Sequence, residues 1–136
     1  MPTLILLGVW QYLGYYMILF LAGLQGIPKD LHDAASIDGA GVWHQFWHVT
    51  LPLLSPTTFF VLIMAMIESL QVFGSIYMLT GGGPAYATLT LGYHVYENAF
   101  TFLNMGYASA LAYVLFIVVF LLTLVQFRGQ RIWVHY

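Results

Sequence analysis

Long apolar stretches alternate along the chain with short polar ones, and three of the apolar stretches are long enough to cross a bilayer. Residues 3–24 contain no Asp, Glu, Lys or Arg, residues 57–79 contain one, Glu68, and residues 105–127 contain none. Each runs to 22 or 23 residues. As a helix each reaches about 33–35 Å, against a hydrocarbon core of about 30 Å. Lipid offers the backbone no hydrogen-bond partners, so every amide must be satisfied within its own segment. The pattern therefore predicts an all-α membrane protein. Three transmembrane helices form one domain over 1–136, with a polar loop at 25–52 and a second loop at 80–104.

The two loops differ in kind. The stretch "KDLHDAASID" predicts a short helix over 29–38, with Pro28 in its first turn and Asp30 and Asp33 near the positive end of its dipole. Gly39 or Gly41 supplies the left-handed residue that ends it. A second short helix is expected over 42–50, stopping ahead of Pro52. On it Val42, Phe46 and Val49 fall at i, i+4, i+7, and Trp43 and Trp47 at i, i+4. This helix–turn–helix is too small to be stable alone, and its aromatics call for a partner. In the second loop "TGGGP" reads as a flexible turn with a rigid stop. Tyr93, Tyr96 and Phe100 follow at helical spacing, as rings gather at a membrane interface.

Composition narrows the function classes. The chain is 61% hydrophobic and 6% charged, where an ordinary soluble domain has roughly 45–50% and 25%. No basic patch exists, which argues against a nucleic-acid partner. The absence of cysteine removes disulfides, thiolate metal sites and a thiol nucleophile. The opening "MPTLILLGVW" has neither the positive n-region nor the cleavage site of a signal peptide. It enters an apolar run directly, as an internal piece of a longer protein would. Lys29 follows the first apolar run, and Arg128 and Arg131 follow the third. Residues 80–104 hold no Lys or Arg. The positive-inside rule then places 25–52 and the C-terminal tail in the cytoplasm. Half of the chain's eight charged residues, Lys29, Asp30, Asp33 and Asp38, lie in that cytoplasmic loop.

These residues also carry a family likeness. "DAASIDGAG" followed by "VTLPLL" resembles the cytoplasmic coupling motif of the integral-membrane subunits of binding-protein-dependent ATP-binding-cassette importers. That motif reads Glu-Ala-Ala, three residues, Gly, then an apolar residue, any residue, and Leu-Pro. Asp33, Ala34, Ala35 and Gly39 match its first part, and Val49, Leu51 and Pro52 its second. "GSIYMLTGGGP" and "YENAF…GYASAL" are similar to the sugar-permease branch, which includes maltose-type and glycerol-phosphate-type permeases. Asp33 departs from the family's Glu by one methylene. The likeness covers nearly the whole chain but corresponds to the C-terminal half of a subunit with about six spans.

The resemblance implies a multi-pass permease subunit of a bacterial or archaeal inner membrane, importing a sugar or related solute. Its partners would be a second permease subunit, a pair of cytoplasmic ATPases, an extracytoplasmic solute-binding protein and lipid. This chain would bind no cofactor, ATP and Mg belonging to the ATPase, and would perform no covalent chemistry. The coupling surface would comprise Asp33, Ala34, Ala35, Asp38, Gly39, Phe46, Leu51 and Pro52. Small residues there would make a compact knob, and the charges a polar rim.

Other signals have bland and sharp readings. His44 and His48 stand at i, i+4, a metal-ligand spacing, but no Glu between them and no third ligand accompanies the pair. Polar positions on a partner-facing helix are the favoured reading. Glu68 is the one ionisable residue inside a span and marks a polar pathway or a bonded contact to a neighbouring helix. With Ser69 and Gln71 it makes that helix locally polar. Gln11, Tyr12 and Tyr15 lie on the first span. Aligned on the motif, Tyr15 and Ser69 fall where the sugar-contacting helices of maltose-type permeases contribute side chains. The expected solute path is Tyr15, Gln11, Glu68, Ser69 and Gln71. With no Lys or Arg in any span, it suits a neutral or weakly cationic solute. Gly14, Gly23, Gly106, Ala108, Ala110 and Ala112 permit close helix packing. Two rival classes are a three-span scaffold without transport activity and a membrane-embedded enzyme using His44, His48 and Glu68.

Overall fold

The computed structural model describes residues 2–133, with side chains through Gln130. All regular structure in these residues is helical. The first long helix, Pro2–Gln25, and the last, Met105–Trp133, fall where uncharged apolar runs place them. The last extends past Phe127, carrying Arg128 on the same helix. Arg131, the other cation of that tail, lies outside the described side chains. Both helices are long and apolar enough to cross a membrane. Most of their large apolar side chains are exposed within this chain, as suits helices whose surroundings are lipid or further helices.

The expected middle span, 57–79, is not one helix. One uninterrupted helix was expected over 57–79. The helix instead runs Ser55–Leu70, breaks at 71–73, and resumes as Gly74–Leu79. Its first section has 16 residues, about 24 Å, short of the core thickness by itself. Gln71 caps the break, and Phe73 sits at φ −129° and ψ −56°, away from helical values. What holds the break is remote in sequence. The Thr90 hydroxyl donates 2.7 Å to the Val72 carbonyl, replacing a lost helical bond. Gly92 also lies close, a Cβ there coming within 3.6 Å of the Gln71 and Val72 carbonyl oxygens.

The loop before that span forms two helices, Lys29–Ile37 and Val42–Leu53. Pro28 is the residue ahead of the first rather than inside it, with extended ψ of 133°. The second does not stop before Pro52. It passes through residues Phe46–Thr50 in a π-helical register, where the Leu51 N–H bonds to the Phe46 carbonyl. A proline inside an α-helix collides with the carbonyl four residues back, and a widened π turn just ahead is one way a helix accommodates it. At Leu54 the chain bends by 63° into the Ser55–Leu70 helix.

The second loop is less slack than "TGGGP" suggested. The Thr80 and Thr88 hydroxyls lie 2.8 Å apart, and Thr88 donates to the Gly83 carbonyl at 2.8 Å. Thr88 is 2% exposed. Thr90 then caps the helix Leu91–Tyr96, accepting the Tyr93 N–H, and a π turn continues it over Glu97–Thr101. Tyr93 and Tyr96 do not stand free at an interface. They pack on Phe73 and Tyr77 of the resumed middle span, with Phe73 and Tyr96 ring centres 4.8 Å apart.

The buried apolar set among the described residues is small, namely Leu54, Val61, Ile76, Tyr93, Ala99 and Ala108. Of the small residues expected to pack helices closely, Gly23 does so most tightly. A Cβ on it would sit 2.5 Å from the Thr57 hydroxyl oxygen. Ala108 is buried, whereas Cβ atoms on Gly14 and Gly106 would meet nothing within 4 Å. Ala110 and Ala112 are exposed.

Candidate functional site

Two places gather unusual chemistry: the knob formed by the short helices after the first long helix, and the groove at the break that follows Leu70. In the knob, Gly39 has φ +79° while Gly41 is extended at φ −69° and ψ 165°, so Gly39 alone makes the left-handed stop. The Ala40 N–H bonds to Ala35 and the Gly39 N–H to Ser36, a Schellman closure of the first loop helix. Asp33, Ala34 and Asp38 are exposed, and among the described residues Asp33 makes no side-chain hydrogen bond or ion pair. Its carboxylate is free to meet a partner.

Apolar side chains stand out around that polar rim. Ile37 is 86% exposed and Trp43 78%, with Val42, Phe46 and Trp47 also open. Phe46 stacks edge-on between Trp43 and Trp47, at centroid distances of 6.4 and 5.6 Å. Leu51 is exposed and Pro52 half-buried at the base. These short helices thus carry an apolar face that the described residues of this chain do not cover. Gln45, not singled out from sequence, ties the knob together. Its amide nitrogen reaches both the Ser36 hydroxyl, 3.0 Å, and the Ala40 carbonyl, 2.9 Å.

The groove lies between the first helix and the broken span, with a volume of about 620 Å³ and an apolar wall. A second cavity of about 640 Å³ continues it past the break. Tyr12 and Glu68 line both, Ser69 and Thr90 the first, Gln11 and Gln71 the second. Tyr16 donates 2.7 Å to the Glu68 carboxylate, linking the first span to the second. Tyr15 lines neither cavity. It is 47% exposed, its ring 5.7 Å from that of Tyr16. The Ser69 hydroxyl donates to the Met66 carbonyl of its own helix, leaving only its oxygen lone pairs for another group. Tyr16 is the residue sequence reasoning missed here. Its signal was periodicity, since Gly8, Tyr12, Tyr16 and Phe20 recur at i+4 and all face the groove.

The histidine pair is organised against chelation. The His44 and His48 rings stack 4.0 Å apart, and His48 Nδ1 lies 3.0 Å from the His44 carbonyl. Among the described residues no three His, Cys, Asp or Glu side chains gather as a metal site would need.

Comparison with known proteins decides the family. The family model described as "binding-protein-dependent transport system inner membrane component" matches residues 1–133. The chain belongs to that family. Its relatives are transport permeases rather than enzymes. The probable ABC transporter permease protein YesP of Bacillus subtilis (strain 168) is 44% identical over 98% of this chain and 44% of its own length. The sn-glycerol-3-phosphate transport system permease protein UgpA of Agrobacterium fabrum is 46% identical over 95% of the chain and 44% of its own length. From the same organism, the sulfoquinovosyl glycerol transport system permease protein SmoG is 43% identical over 90% of the chain and 40% of its length. The chain thus spans less than half the length of these relatives. Membership accounts for the all-helical architecture and the apolar helices of an inner-membrane component.

Proposed function

We propose that this chain supplies the coupling-loop half of an ATP-driven importer permease that moves a sugar or related solute across the inner membrane. The observation that carries this reading is the knob at 29–52. It is a Schellman-closed pair of helices with a glycine-made turn, exposed carboxylates and tryptophans left open, following the first long helix. A cytoplasmic ATPase subunit pair fits that surface. Closure of the ATPases around ATP would push the knob, and the bend at Leu54 would carry the push into the Ser55–Leu70 helix beside the solute groove. ATP and Mg belong to the ATPase. The remaining partners are a second permease subunit and a solute-binding protein meeting residues 80–104 outside.

The face assignments follow the cations. A cysteine placed at exposed Ala87 is expected to react with an impermeant maleimide only from outside, and one at Asp30 only from the cytoplasm. Neither introduces a competing thiol signal, because the chain has no cysteine. Buried Thr88 is unsuitable for such a reporter. Cytoplasmic labelling at Ala87 would overturn the orientation and the coupling assignment with it.

The groove also favours a solute class. Among the described residues, Glu68 is the sole Asp, Glu, Lys, Arg or His side chain on the wall of either cavity. An anion there would meet no compensating cation. A neutral sugar or sugar derivative suits the mixture of tyrosine faces, amides and hydroxyls, which stack on and bond to its rim. UgpA and SmoG are named for charged solutes, so membership alone does not set the charge. In the reconstituted complex, uptake of a radiolabelled solute should be competed by neutral glycosides and not by their phosphate esters. Selective competition by the phosphate ester would defeat the neutral-solute reading.

A further inference from the structure

We infer that Gln45 is a positioning residue for coupling, whose amide clamps the two loop helices into one rigid body. This rests on the reading of residues 29–52 as the ATPase-facing knob. A lever transmits a push only if it does not flex, and the described connection between these helices is short, running from Asp38 to Gly41. Backbone bonds close the end of the first helix but do not reach past Ala40. The Gln45 side chain does. It stands on the second helix, and its amide nitrogen bonds to Ser36 on the first helix and to Ala40 in the turn, at 3.0 and 2.9 Å.

The donor count makes the arrangement directional. The Ser36 hydroxyl places its own hydrogen on the His32 carbonyl at 2.9 Å, so toward Gln45 it can only accept. The Ala40 carbonyl can only accept as well. Two acceptors need two hydrogens from one atom, and a primary amide nitrogen carries two. This fixes the amide orientation and turns its carbonyl oxygen away from both contacts. A chain of bonds then runs from the second helix through Gln45 and Ser36 to the middle of the first. A side chain of equal length without donors fills the space but leaves two acceptors unmatched and the hinge free.

The test uses the full importer in lipid vesicles, with spin labels on Asp30→Cys and Val42→Cys, one on each helix. Gln45→Met keeps length and bulk while removing the donors, and Gln45→Arg restores donors. The inter-label distance distribution should be narrow in the parent, broader in Gln45→Met and narrow again in Gln45→Arg. In complexes without labels, solute moved per ATP hydrolysed should fall by at least about fivefold in Gln45→Met, the weight of one net hydrogen bond where two are lost. Ser36→Ala should give a smaller loss, and the Ser36→Ala, Gln45→Met double variant no more loss than Gln45→Met alone. An unchanged distance distribution in Gln45→Met, or an unchanged transport ratio despite broadening, would overturn the clamp. The docking reading fails separately. If Trp43→Asp and Ile37→Asp leave ATPase attachment and transport unchanged, the knob is not the ATPase surface, whatever the label distances report.

Discussion

Replacing Gly39 with valine should uncouple solute uptake from ATP hydrolysis while leaving the chain in the membrane. At φ +79° the backbone occupies a region that costs an ordinary L-residue about 1–2 kcal/mol, and a β-branched residue more. One to two kcal/mol shifts the balance between folded and misfolded turn by about 5- to 30-fold. The turn is local, so insertion of the long helices should be unaffected. A Cβ at Gly39 would meet nothing within 4 Å in this chain, so the expected defect comes from the backbone and not from crowding inside the knob. Gly39→Asn separates the two causes, because asparagine tolerates the left-handed region while adding comparable bulk. Uptake and ATP hydrolysis measured together in the assembled complex should show valine severely impaired and asparagine much less so. Equal impairment of both would point to bulk against the partner surface. Normal transport with valine would remove Gly39 from the coupling role.

The same position shows how far sequence could be read. Gly39 stands ten residues after the first loop helix begins at Lys29, and the sequence offered it together with Gly41 as the left-handed stop, a common use of glycine there. The long first and last helices were equally legible, because an uncharged run of that length leaves lipid-spanning helix as its main option. The break in the middle span was not. Phe73, Ile76, Tyr77 and Leu79 keep the stretch apolar beyond Leu70, and hydropathy reports the solvent a segment prefers, not whether its backbone is continuous. The local hints were the polar Glu68, Ser69 and Gln71. The decisive partner, the Thr90 hydroxyl on the Val72 carbonyl, comes from 18 residues away. Tyr15 and Tyr16 illustrate a different limit. A motif alignment that is right to within one residue still leaves a helix side chain rotated by about 100°, enough to move it from groove to outer surface. The continuation of the second loop helix through Pro52 was hidden for a similar reason. The proline rule assumes an α register, and the π turn over Phe46–Thr50 changes it.

Tyr16→Phe should weaken solute uptake more than any single change at Tyr15. The Tyr16 hydroxyl is the side-chain donor to the Glu68 carboxylate, at 2.7 Å, across the groove between the first two spans. Removing it leaves a part-buried acceptor without that donor, at a cost of about 1–3 kcal/mol, or roughly 5- to 150-fold in an equilibrium constant. Glu68→Gln keeps an oxygen that can accept from Tyr16 and should be the milder change on the other side. Glu68→Leu removes the acceptor and should resemble Tyr16→Phe. If the pair serves only to hold two helices together, these variants will lower thermal stability and maximal uptake without altering which solutes compete. If it borders the solute path, as the cavity geometry supports, apparent affinity will fall and competition by solute analogues will change, while the assembled complex keeps its yield. Gln71→Ala should move apparent affinity in the same direction, since its side chain lines the adjoining cavity. Ser69→Ala should have the smallest effect, because the serine hydrogen is already given to Met66. Unchanged uptake kinetics in Tyr16→Phe, Glu68→Leu, Ser69→Ala and Gln71→Ala together would take this groove out of the translocation path.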